Sequence, residues 1–126
     1  MDHIRQQQKQ AETGERRGWI IYLLHCSHPK PLTLRSLMRH LDFYNWPLSR
    51  QRLANKLEFL RGLDLIRVFP LGSEKSLSDV EQAKLIQRYA DTDGEMDSHL
   101  CATLTPRGVR YQEGYFEEEG VVRVNN

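Results

Sequence analysis

Hydrophobic residues along the chain recur at two intervals, and the change from one to the other marks where helices give way to strands. From Arg16 to Cys26, Trp19, Ile20, Leu23 and Leu24 fall at three- and four-residue spacings, which places them on one stripe of a helix. The pattern predicts that this helix starts upstream, in the glutamine-rich opening of the chain. Pro29 and Pro31 then end it in a short extended piece through Leu32. Thr33 is an N-cap residue ahead of Leu34, Leu37, Met38 and Leu41, an i, i+3, i+4, i+7 face that predicts a second helix. Asp42 to Leu48, containing Asn45 and Pro47, reads as a turn. Its Phe43, Tyr44 and Trp46 are expected to pack on the core, because large aromatics are usually buried and exposed apolar patches are uncommon.

Ser49 is the next N-cap, and Leu53, Leu57 and Leu60 recur after it with a helical period. At 100° per residue they lie within about 60° of one another. Gln51, Asn55 and Glu58 point away from them, and Arg52 flanks them. The pattern changes at Leu65, where Leu65, Ile66, Arg67, Val68 and Phe69 run up to Pro70 as a strand would. A second strand is predicted over His99 to Leu104, where Leu100, Ala102 and Leu104 alternate with His99, Cys101 and Thr103. The stretch between them, residues 71–98, is too long for a hairpin loop. Ser78 and Glu81 have capping-box spacing before Val80, Ala83, Ile86 and Tyr89, so a helix over Ser78 to Ala90 is expected inside this insertion, with polar, mobile flanks at Gly72–Ser76 and Asp91–Asp97. Thr105 and Pro106 supply an N-cap and an N1 proline for a last helix closing near Gly114. The pattern assigns no structure to the tail, residues 115–126.

The segment LSRQRLANKLEFLRGLDLIRV, residues 48–68, resembles the recognition helix and first wing strand of the winged helix-turn-helix superfamily. LCATLTPRGVRYQEG, residues 100–114, resembles the second wing strand and the LTxxG helix start of MarR-like and PadR-like regulators. With the closing GVVRV, the chain looks most like the small winged-helix proteins of Mu-like phages and prophages. The resemblance covers Trp19 to Gly114. It implies an α+β, mainly α, single domain over 1–126: a winged helix-turn-helix with an extended N-terminal helix (1–15), a long helix-containing wing insertion (71–98) and a C-terminal helix before the tail. Two departures stand out. Asp64 occupies the position where the family usually holds a left-handed glycine, and the Asp42 to Leu48 connection is longer than a compact three- to four-residue turn.

The resemblance also implies a function: sequence-specific binding of double-stranded DNA by a phage- or prophage-type transcriptional regulator, with the third helix in the major groove. Carried over by position, Ser49, Arg50, Gln51, Arg52, Asn55 and Lys56 are the candidates to reach base edges. Arginine can grip guanine, and glutamine or asparagine can grip adenine, with paired hydrogen bonds. Arg35 and Arg39 on the second helix, and Arg16 and Arg17 on the first, are better placed for phosphates. A homodimer is expected, since palindromic sites are read by two-fold symmetric proteins and a small domain gains buried surface by associating.

Composition changes this picture in one respect. The formal charge is only +1, but Lys and Arg outnumber Asp and Glu 12 to 6 up to Phe69 and are outnumbered 6 to 11 beyond it. Basic charge therefore coincides with the expected helices, as counterion release from nucleic acid requires. The acidic second half supports an alternative, a winged-helix protein-interaction module without DNA binding, if the insertion folds over the third helix. The longest apolar run, Trp19 to Leu24, is six residues, too short to cross a bilayer. With a polar N-terminus and two cysteines, this fits a reducing cytoplasm and no membrane partner. His25, Cys26, His28, His99 and Cys101 offer zinc-type donors and define a metal-sensing alternative, but their spacing matches no standard zinc pattern. No cofactor is expected. No phosphate loop or activated nucleophile is recognisable, and the acids of Asp91–Asp97 and Glu117–Glu119 look solvated, so an enzyme is not expected.

Overall fold

In the computed structural model the pattern resolves into five helices and three short strands, described over residues 2–73 and 76–125, with side chains from Glu12 onward. Helix α1 spans Asp2–Ser27 and so does begin upstream of Arg16. Its start, residues 2–11, is described as backbone only. Strand β1 is only Leu32–Thr33. Helix α2 follows at Leu34–Phe43, where the Thr33 side chain accepts from Ser36 N. Helix α3, Arg50–Gly62, starts on Ser49, whose side chain accepts from Arg52 N. Strand β2 is Ile66–Pro70 and β3 is Leu100–Leu104, each within a residue of its expected position. Helix α4, Asp79–Asp91, carries the full capping box between Ser78 and Glu81. Helix α5, Pro106–Gln112, begins on the Thr105 cap.

The strands form one antiparallel sheet in the order β1-β3-β2. β3 is central, pairing Thr33 with Cys101 on one side and Val68 with Ala102 on the other. Leu34, Leu37 and Leu41 of α2, Leu53, Leu57 and Leu60 of α3, and Ile20, Ile21 and Leu24 of α1 bury against it with Leu65, Val68, Ala102 and Leu104, in one core. Asp64 takes the left-handed conformation at φ 58°. Its carbonyl accepts from Thr105 Oγ1 at 2.5 Å, so the α3–β2 corner is fastened to the start of α5.

The insertion holds the expected helix, but it is tied to the rest of the fold more closely than mobile flanks would allow. Helix α4 packs along α3 and β2, and its Gln82 is buried against the outer side of β2. Gln82 Oε1 accepts from Val68 N at 3.0 Å and its Nε2 donates to Leu77 O at 3.2 Å. A side-chain amide therefore satisfies a backbone donor on an edge strand that would otherwise be open to pairing with another chain. The flank Asp91–Asp97 is also tied down. Asp97 O accepts from Arg35 N at 2.8 Å. Of the other flank, Glu74 and Lys75 lie outside the described residues.

The expectation that all three turn aromatics pack on the core is corrected. Phe43 is 79% exposed and Tyr44 41% exposed, while only Trp46 rests against the core. Helix α2 runs to Phe43, so its last residues project past the leucine stripe. Asn45, left-handed at φ 61°, turns the chain, and Trp46 N returns to Leu41 O at 2.8 Å. Tyr44 stacks on Trp19, with 5.0 Å between ring centroids.

The tail, which the sequence pattern left unassigned, doubles back over α1. Val122 N donates to Gly14 O at 3.0 Å, and Arg123 fastens the segment to Tyr111 O and Phe116 O. Gly18 makes this crossing possible, because a Cβ on it would overlap the Val122 carbonyl group. Gly18→Ala should therefore displace the tail and destabilise the protein by about 1–3 kcal/mol. By contrast Gly62→Ala, at a helical position with nothing within 4 Å, should stabilise it by up to about 1 kcal/mol. Urea unfolding midpoints of the two variants test the contrast, and equal midpoints would show that the tail does not depend on the notch.

Candidate nucleic-acid interface

Burial of Leu53, Ala54, Leu57 and Leu60 fixes the rotation of α3, and the remaining positions divide into three rows. Gln51 and Asn55 face solvent, one turn apart, with Gln51 Nε2 donating to Asn55 Oδ1 at 3.0 Å. Arg52 is exposed and Lys56 half-buried on the side toward α1. Arg50, Glu58 and Arg61 lie toward α4 and the segment after it, where the ion pairs described below hold them. Ser49, a candidate base reader, spends its hydroxyl oxygen on the helix cap.

The row toward α4 is occupied. Arg50 makes a two-pronged ion pair with Asp97, with Nη2 to Oδ2 at 2.7 Å, and its guanidinium lies 5.3 Å from the centre of the Tyr89 ring. Donating to the Asp97 carboxylate raises the Arg50 pKa above its ordinary value, opposed by burial. Arg50 is thus engaged inside the protein rather than presented outward, a correction to its expected place among the base readers. Asp97 is correspondingly not one of the solvated acids. Glu58 is neutralised by Arg61 at 2.5 and 2.9 Å, and Arg61 also reaches Asp79 at 3.3 Å.

The row toward α1 is different. Arg17 lies over the Phe59 ring at 3.5 Å and donates to Gly120 O at 3.0 Å. Arg16 lies 5.1 Å from the Trp46 ring centre. Burial lowers the Lys56 pKa first, and repulsion from Arg17, Arg16 and Arg52 lowers it further. Four cations therefore share the surface where α1 meets α3. Sequence spacing marked Arg52 and Lys56 as neighbours on a helix, but nothing local joined them to Arg16 and Arg17. Nor did any local signal pair Arg50 with Asp97.

Arg35 and Arg39 are exposed on α2. Arg39 lines a shallow groove of about 340 Å³ with His40, Phe43 and Tyr44. The metal alternative is not assembled: among the described residues no three His, Cys, Asp or Glu side chains come together as a ligand set. Cys26 is exposed, whereas Cys101 is buried at the centre of the sheet and its thiol is pushed up by that burial. No described helix is long and apolar enough to cross a membrane. Compared with protein-family models, curated proteins and solved structures, the chain matches none.

Tyr89, fully buried beneath Arg50, has its phenol pushed up to about 12, by burial first and the nearby Asp97 charge second. The folded state therefore holds it neutral after the unfolded chain has begun to ionise near the ordinary tyrosine value of 10.0. Stability from this group is complete below pH 10 and is lost as pH rises toward 12. Tyr89→Phe should flatten that part of the alkaline stability profile. It should also cost about 1 kcal/mol at neutral pH through loss of the hydroxyl contact to Met38 Sδ. Chemical denaturation of both proteins between pH 8 and pH 12 checks the slope, and parallel profiles would refute the assignment.

Proposed function

We propose that the protein is a winged helix-turn-helix DNA-binding protein that reads double-stranded DNA with α3, as a transcriptional regulator of the phage and prophage type acting in the cytoplasm. The reading rests on one observation. The first two turns of α3 present Gln51, Arg52 and Asn55 outward in solvent, beside a cation-rich flank. Gln51 and Asn55 are matched to adenine edges, and exposed arginines position the protein on phosphates. Arg35 and Arg39 extend the same charge along α2, while Arg50 stays with Asp97. The function is binding, not catalysis.

Duplexes selected from a random pool should bind with an affinity that falls steeply with salt. The double variant Gln51→Ala with Asn55→Ala should keep most of the affinity for unselected duplex and lose discrimination by about 1–3 kcal/mol for each paired contact removed. Fluorescence anisotropy at two salt concentrations reads both effects. Absence of salt-sensitive duplex binding would end this reading.

A second reading is favoured by the uncovered Phe43 and Tyr44 beside the groove on α2: a protein-contact surface, which would bind with little salt dependence. Self-association through such a surface is also how the regulator reading obtains its dimer. Sedimentation should give twice the chain mass of 14.8 kDa, shifting toward one chain mass in Phe43→Ala. A single-chain mass for the unaltered protein would remove the dimer.

A further inference from the structure

The cations at the α1–α3 junction lack the compensation found everywhere else on α3. Arg50 has Asp97, and Arg61 has Glu58 and Asp79. Among the described residues, none of Arg16, Arg17, Arg52 and Lys56 pairs with a carboxylate. Glu15, next to Arg16 in the chain, and Glu119, next to Gly120, are exposed and join none of them, and Glu58, two residues from Lys56, is held by Arg61. Arg16, Arg17 and Lys56 are partly buried, and only Arg52 stands exposed in solvent. Arg52 and Lys56 stand one turn apart on α3, and Phe59, a turn further on, carries the Arg17 guanidinium on its face. Gly120 O holds Arg17 from the tail side, and Trp46 backs Arg16. The Nε atoms of Arg16 and Arg17 are both buried without a hydrogen-bond partner. Unpaired donors of this kind, and like charges held together by aromatic faces and a backbone carbonyl, are costly unless an anion completes the arrangement.

We propose that Arg16, Arg17, Arg52 and Lys56 form a single built site for a phosphate group. Guanidinium forks and an ammonium together match the several oxygens and the charge of phosphate better than the single carboxylate of a side chain. Lys56, whose charge burial and its three neighbours already disfavour, gains most from an anion's arrival. On the DNA reading, Arg52 and Lys56 would thereby hold backbone rather than bases, and Gln51 and Asn55 would remain as the row facing the groove floor. The tail takes part, since the Gly120 carbonyl sets where Arg17 points. The site itself does not depend on the DNA reading. Its phosphate comes either from a nucleic-acid backbone or from a free phosphate compound.

Inorganic pyrophosphate serves as the probe, titrated into the full chain and followed by calorimetry and amide chemical shifts. Binding is expected with shifts centred on α3 and residues 14–18, weakened about tenfold or more by Lys56→Gln, a loss of one charge-assisted contact. Arg52→Gln, fully outside the core, should act the same way and guards against a folding defect, while Arg39→Gln on α2 should leave pyrophosphate binding unchanged. The same variants are then tested on duplex DNA. If Lys56→Gln weakens every duplex alike and reduces the salt slope by about one, the phosphate is that of the nucleic-acid backbone. If pyrophosphate binds and no duplex does, the site stands with a free phosphate compound as its ligand and the regulator reading falls. No pyrophosphate binding, or equal weakening by Arg39→Gln, overturns the site while leaving base reading by Gln51 and Asn55 intact.

Discussion

Burial of one leucine stripe on α3 sets everything the molecule shows to its surroundings. Leu53, Leu57 and Leu60 enter a core shared with α1, α2 and the sheet, and removing any of them from water is worth about 1.5–3 kcal/mol. That sum leaves α3 no freedom to rotate. Gln51 and Asn55 are on the surface because the leucines are not, and Arg50 and Lys56 are sent to opposite flanks by the same geometry.

The two flanks then meet opposite fates. On one, the acidic insertion closes against α3 and β2, so that Asp97 takes Arg50, Glu58 and Asp79 share Arg61, and Gln82 covers the β2 edge. On the other, α1 brings Arg16 and Arg17 up to Arg52 and Lys56, and among the described residues none of the four pairs with a carboxylate. A net charge of +1 thus conceals a helix neutralised along one side and strongly cationic along the other. The uncompensated positive charge of α3 therefore lies on its α1 side.

The tail links this charge arrangement to backbone packing. Its path over Gly14 and Gly18 carries Gly120 to Arg17 and Phe59, and its Arg123 closes back on Tyr111 and Phe116. A segment that looks like a polar appendage in sequence therefore bears on the orientation of a side chain at the candidate site.

Much of the fold was legible residue by residue. The caps at Thr33, Ser49, Ser78 and Thr105 all form, Asp64 adopts the left-handed turn, and β2 and β3 lie within a residue of their expected positions. These features depend on contacts within a few residues, which spacing encodes directly. The candidate site was legible only in part: Gln51 and Asn55 were expected to point away from the leucine stripe and do, but the capture of Arg50 by Asp97, 47 positions away, was not. Phe43 was expected in the core and lies outside it, since where α2 stops is settled by the neighbours it lacks. The sequence by itself determined the helices, their caps and the stripe each buries, because those follow from local periodicity. Only the tertiary structure decided which cations are neutralised and which stand together uncompensated, because charges far apart in the chain act on one another through space.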